Sequence, residues 1–148
     1  MKMGYMVETE FLFGFQPKDR CYGIVSRILK AYVATKPFPV YYPVSALIEI
    51  REVMASHGKT AIERLNVLTY IKAKAVTSGI QEINLSSDDL ILCEEIMAQH
   101  RAPTLFDALH ASVALNNKLT IISNDEAYDE IEVERVTFKE FLDLLEKQ

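Results

Sequence analysis

The chain has 148 residues, 49% hydrophobic and 25% charged, with a net charge of −5, the size and balance of one globular domain with a proper core. Its longest apolar runs, such as Leu119–Ile122 and Tyr41–Val44, are far shorter than the about 20 residues that cross a bilayer, and MKMGYMVETEF meets Glu8 and Glu10 too early for a secretory hydrophobic run. Cys21 and Cys93 make neither a disulfide framework nor a C-x-x-C metal pair, so the expectation is a soluble cytoplasmic protein with no membrane segment.

Helical and extended segments alternate along the chain, which predicts an α/β architecture in a single domain spanning residues 1–148. Met3–Val7 reads as a short buried strand ending at Glu8, and Thr9–Phe15 as a short helix stopped by Gln16-Pro17. Asp19 is the expected cap of an amphipathic helix with Ile24, Ile28, Leu29 and Tyr32 on one face. After the break Lys36-Pro37-Phe38-Pro39, Val40–Tyr42 is the next strand. Ser45 is the expected cap of a helix with Leu47, Ile50, Val53 and Met54 inward, closed by Gly58. Lys59–Thr77 supplies another helix. Glu82–Leu85 reads as extended, and Ser86 or Ser87 opens a helix reaching about His100. Thr104 with Asp107 resembles a capping box for the helix Leu105–Asn116. Leu119–Ser123 is an apolar, β-branched strand running into Asn124-Asp125, followed by an extended piece near Val133–Val136 and a last helix from Phe138.

In open α/β sheets sites form beyond the carboxyl ends of the strands, where Glu8 and Asp125 both fall. Asp107 interrupts the Ala-rich stretch LFDALHASVAL, where it is either a first-turn acid of the helix or a functional group. Asp125 after a buried strand fits a turn as well as a site. Glu49 lies between Ile48 and Ile50 at the edge of a buried face, where it either pairs with a base such as Arg51 or serves a function. Glu8 and Glu10 flank Thr9 at a helix start, which favours acids for its own reasons. Taken together, carboxylates on strand ends and helix starts can converge. Two charges 4 Å apart repel by about 4 kcal/mol at an effective dielectric near 20, so such a cluster takes up cations or protons. All-oxygen ligands favour a hard ion, Mg²⁺ or Mn²⁺. Setting the four acids aside leaves −5 + 4 = −1, so net charge neither supports nor excludes RNA. Lys18, Arg20, Arg51, Lys59, Arg64, Lys72, Lys74, Arg101 and Lys118 are candidates for a basic rim.

Other chemistries find no footing. His57, His100 and His110 lack zinc spacing, and His110 reads as an ordinary helix residue. The G-x-S-x-G, Walker and G-x-G-x-x-G patterns are absent, and the two cysteines read as packing residues.

The order strand-Glu8-Thr9-Glu10, Glu49 in VSALIEIREVM, Asp107 in TLFDALHASVALNNKLTIIS, and then SNDEAY resembles the PIN domain family over essentially the whole chain. The resemblance implies a central parallel sheet flanked by helices and metal-dependent cleavage of RNA. Many members are toxins of the VapC type and others process ribosomal RNA. It implies that Glu8, Glu49, Asp107 and Asp125 are the catalytic metal ligands for Mg²⁺ or Mn²⁺, supported by Thr9, Glu10 and Ser123. A homodimer and an antitoxin protein partner are further expectations of the resemblance. The chain departs from the family pattern in reading Glu8-Thr9-Glu10 where Asp-Thr-Asn is usual, Ala127 where a further acid is common, and Tyr128 where Phe is usual. These departures keep a second reading open, a catalytically weak PIN fold that binds RNA or a protein. A phosphoacceptor receiver domain shares the alternation, but its Asp and Lys pair has no counterpart here.

Overall fold

A computed structural model describes residues 4–101 and 103–147. Five short strands form one sheet in the order β3-β2-β1-β4-β5, and every neighbouring pair is parallel. The strands are β1 (Gly4–Val7), β2 (Val40–Pro43), β3 (Gln81–Ile83), β4 (Leu119–Ile122) and β5 (Arg135–Val136). Parallel neighbours need crossover connections, and these are the helices α1 (Thr9–Phe13), α2 (Tyr22–Thr35), α3 (Val44–Ser56), α4 (Ala61–Ser78), α5 (Ser87–Gln99) and α6 (Leu105–Asn116). A 3-10 helix, Glu126–Ile131, links β4 to β5, and α7 (Phe138–Glu146) follows.

The pleat sends alternate residues of the central strands into two cores. Val7 of β1, Val40 and Tyr42 of β2 and Ile122 of β4 join a cluster with Phe11, Phe15, Ile28, Ile50 and Phe138. Met6, Leu119 and Ile121 join the other, with Cys93, Ala108, Ala111, Ala114 and Tyr128. Both faces are covered, so β1 and β4 are buried along nearly their whole length and mostly apolar, as a buried parallel sheet requires. The small side chains of α6 let that helix lie close to the sheet and to α5. Asn116 Nδ2 ties these two helices by donating to Asp89 Oδ1 at 2.8 Å.

Several local expectations need correction. Met3 lies outside the described residues, and the first helix ends at Phe13 rather than Phe15. Asp19 does not cap α2. That helix starts at Tyr22 after Cys21, and Asp19 Oδ2 accepts from the Cys21 N–H at 2.9 Å, a local turn one step upstream. Ser45 does not cap α3 either, because Pro43 holds the cap position and Ser45 is already helical. Its hydroxyl is thereby free for the tertiary contact described below. The 3-10 helix had no signal in the sequence that separated it from a loop. Elsewhere Thr60, Ser86 and Thr137 close full capping boxes with Glu63, Asp89 and Glu140.

Candidate metal centre

The register Val7↔Ile122 puts the carboxyl ends of β1 and β4 side by side. β1 continues on its other side to β2, so the chain leaves this sheet in opposite directions from neighbouring strands, the arrangement that opens a crevice. Glu8 follows β1 directly, and Ser123 and Asp125 follow β4. Glu49 enters from α3 and Asp107 from the first turn of α6. All four acids, with Thr9, Glu10 and Arg20, line one cleft of about 280 Å³.

Each acid is held differently. Glu8 is nearly buried at 6% exposure, and both its oxygens are engaged. Oε1 accepts from the Glu10 N–H at 3.1 Å, capping α1, and Oε2 accepts from the Tyr128 hydroxyl at 3.3 Å. Burial foremost, then the charges of Glu10 and Glu49, push its carboxyl up to about 8, against the opposing effect of these two donors. The Tyr128 phenol is itself raised, by burial first and then by the surrounding carboxylates. Burial also raises Asp107, and the charges of Asp125 and Glu49 add to this while contacts with Thr104 offset part of it. Thr104 Oγ1 caps α6 by accepting from the Asp107 N–H at 3.2 Å. Burial alone would raise Glu49 as well, yet hydrogen bonds from His110 and Thr9 hold its carboxyl below the usual range. Asp125 caps the 3-10 helix by accepting from the Ala127 N–H at 2.9 Å, while its own N–H donates to Ser123 Oγ at 3.0 Å.

Two features escaped the sequence reading. The base beside Glu49 is not Arg51, which pairs with Glu52 at 2.7 Å, but His110. His110 is no ordinary helix residue, being fully buried and bonded through both ring nitrogens. The contact of the Tyr128 hydroxyl with the Glu8 carboxyl is the second. The basic rim is narrower than expected. Arg20 reaches the cleft and pairs with Glu10 at 3.3 Å, while Lys18 and Lys59 line an adjoining groove of about 510 Å³ that shares Phe13, Asp19 and Val53 with it. Lys72 is instead paired with Glu82 at 3.0 Å, and Lys74 lies over Tyr22 and Tyr70.

The donor set suits a hard divalent cation, because the cleft is lined by carboxylates, those of Glu10 and Asp19 beside the four named acids, and Arg20 is the one base among them. Among the described residues, however, no three His, Cys, Asp or Glu side chains are grouped so as to hold a metal ion as they stand.

No curated protein sequence gives a significant match. Among solved structures the fold is similar to VapBC2 from Rickettsia felis, solved bound to a DNA fragment from its promoter, with a TM-score of 0.69 at 15% identity over 91% of this chain and 98% of that one. VapC20 of Mycobacterium tuberculosis, described as a sarcin-ricin loop cleaving toxin, aligns with a TM-score of 0.66 at 16% identity over 89% and 98% of the two chains. A toxin-antitoxin complex from Klebsiella pneumoniae aligns with a TM-score of 0.60 at 15% identity over 90% and 97%. The family profile of the PIN domain matches residues 5–134, from the second residue of β1 to the threshold of β5, and the chain therefore belongs to the PIN domain family.

Proposed function

We propose that this protein is a divalent-metal-dependent ribonuclease, acting as the toxin of a toxin-antitoxin pair in the cytoplasm. The observation that carries the reading is the convergence of Glu8, Glu49, Asp107 and Asp125 from four separate segments on one cleft. Mg²⁺ or Mn²⁺ would be held by Glu49, Asp107 and Asp125, with Glu8 joining once its carboxyl gives up its proton and its contact with Tyr128. When bound, such an ion supplies an activated water and neutralises charge on the phosphate. The chain's own residues do the rest. Thr9 fixes the Glu49 carboxylate by donating to Oε1, and Ser123 fixes the turn that carries Asp125. Arg20 at the mouth of the cleft, with Lys18 and Lys59 along the adjoining groove, binds the phosphate backbone without reading bases.

The likeness to VapC20, VapBC2 and the Klebsiella complex supports an antitoxin protein as partner, and the family resemblance supports a homodimer. Incubation of an unstructured RNA with the protein and Mn²⁺ tests the activity. Cleavage abolished by EDTA and by Asp107→Asn is the expected result, and cleavage that survives either contradicts it. A second reading, a weakly catalytic PIN module that binds RNA or protein, is favoured by one observation, the engagement of both Glu8 oxygens. Calorimetric titration separates the two, since no uptake of Mn²⁺ at millimolar concentration favours the binding module.

A further inference from the structure

Helix α6 carries a polar assembly that the metal centre does not by itself require. His110 is 0% exposed and sits among Ala108, Ala111 and Ala114, where an apolar side chain would pack without desolvating a ring. Both of its nitrogens find partners on a different helix. Nε2 lies 2.8 Å from Glu49 Oε1 and Nδ1 lies 2.8 Å from Ser45 Oγ. Ser45 and Glu49 are four residues apart on α3, so they stack on one face of that helix, and a single imidazole bridges them. An ionised carboxylate only accepts, so Nε2 carries the proton given to Glu49 and a neutral ring accepts the Ser45 hydroxyl proton at Nδ1. The Thr9 hydroxyl, 3.2 Å from Nε2, donates to the same Oε1. Among the described residues both bonds to the Glu49 carboxylate therefore fall on Oε1, and Oε2 is the oxygen available to the cleft.

We infer that His110 is a positioning residue for the metal centre, an imidazole clamp anchored by Ser45 that fixes the Glu49 carboxylate so that one oxygen is presented to a divalent cation. The sequence Ser45–His110–Glu49 has the composition of a hydrolytic triad, but Ser45 is 0% exposed and cannot meet a substrate. The clamp works in the other direction, from buried serine to the partly buried acid that lines the cleft. It links α3 and α6, the two helices that contribute Glu49 and Asp107. The inference rests on the metal-dependent reading given above.

The test compares the wild type with His110→Leu, His110→Gln and Ser45→Ala by Mn²⁺ calorimetry, melting temperature and crystal structures. His110→Leu removes the donor to Glu49 and is expected to weaken Mn²⁺ binding about 10- to 100-fold, the usual effect of losing a residue that orients a ligand. In its crystal structure the Glu49 carboxylate is expected to leave its place. His110→Gln keeps an N–H donor toward Glu49 and is expected to recover part of the affinity, which a purely packing role would not produce. Ser45→Ala deletes a single hydroxyl and keeps the fold testable if His110→Leu does not fold, with a smaller loss of affinity expected. Wild-type affinity in Ser45→Ala and in His110→Leu, or an undisplaced Glu49 in either, overturns the inference. If the wild type itself takes up no Mn²⁺, the metal-dependent reading fails. The crystal structures then decide the clamp alone, with displaced Glu49 upholding it and undisplaced Glu49 ending it.

Discussion

Glu8 is where a one-methylene departure from the family pattern has the largest physical consequence. The longer arm carries its carboxyl to the Tyr128 hydroxyl, in a site buried enough to raise its pKa from 4.5 to about 8. A carboxyl raised in the folded state binds more protons than it does in the unfolded chain between those two values. It therefore stabilises the fold relative to an ionised side chain below about 4.5 and costs stability progressively up to about pH 8. At 1.36 kcal/mol per pKa unit the full cost is on the order of a few kcal/mol. Glu8→Gln, which keeps the size and loses the charge, is expected to be more stable than the wild type in chemical denaturation at pH 9, with the advantage shrinking toward pH 5. An advantage independent of pH would show that Glu8 is not raised. Glu8→Asp withdraws the carboxyl from Tyr128 and restores the family's arm length. Mn²⁺ titration of that variant is expected to show tighter binding, and weaker binding would mean that the glutamate is itself the fitted ligand.

At the scale of elements, the cleft depends on how α3, α6 and the 3-10 helix are started. Thr104 caps α6 and accepts from the Asp107 N–H, so the same residue sets the helix start and the environment of a candidate ligand. Thr104→Ala is expected to cost about 1 kcal/mol in a denaturation experiment and to lower the affinity for Mn²⁺ as well. Loss of stability with unchanged metal binding would separate the two roles. Much of this scale was legible in the chain. The buried runs of β1 and β4, a start of α5 at Ser86 or Ser87 and the bounds of α6 follow from local pattern, because propensity, capping and burial agree there. The misreadings share a cause. Ser45 looked like a helix cap, but its hydroxyl is engaged by a ring on a distant helix. His110 looked incidental because its partners lie 61 and 65 residues away. The 3-10 helix is secured by Tyr128, whose packing against Met6 and α6 no local pattern reveals. The four acids could be named from the sequence, but not their individual states, since those depend on burial and on one another.

At the scale of the molecule, the sheet order brings the ends of β1 and β4 together while α3 and α6 close over them, so four acids distant in sequence share one cleft. If the cleft takes up a cation, as proposed, metal binding and folding are linked. A cation that binds the folded state alone stabilises it, by about 2.7 kcal/mol at a hundred times its dissociation constant. Thermal unfolding with Mn²⁺ is therefore expected to shift upward, to return to its starting value on adding EDTA, and to shift little in Asp107→Asn. A shift of the same size in that variant would place the ion elsewhere. The most direct test of the central claim is anomalous diffraction from a crystal soaked in millimolar Mn²⁺. A manganese peak is expected in the cleft, within about 2.5 Å of carboxylate oxygens of Asp107 and of at least one of Glu49 and Asp125, in line with the distances of hard-ion ligands. A crystal that takes up no manganese there, with the cleft open to solvent, would contradict it.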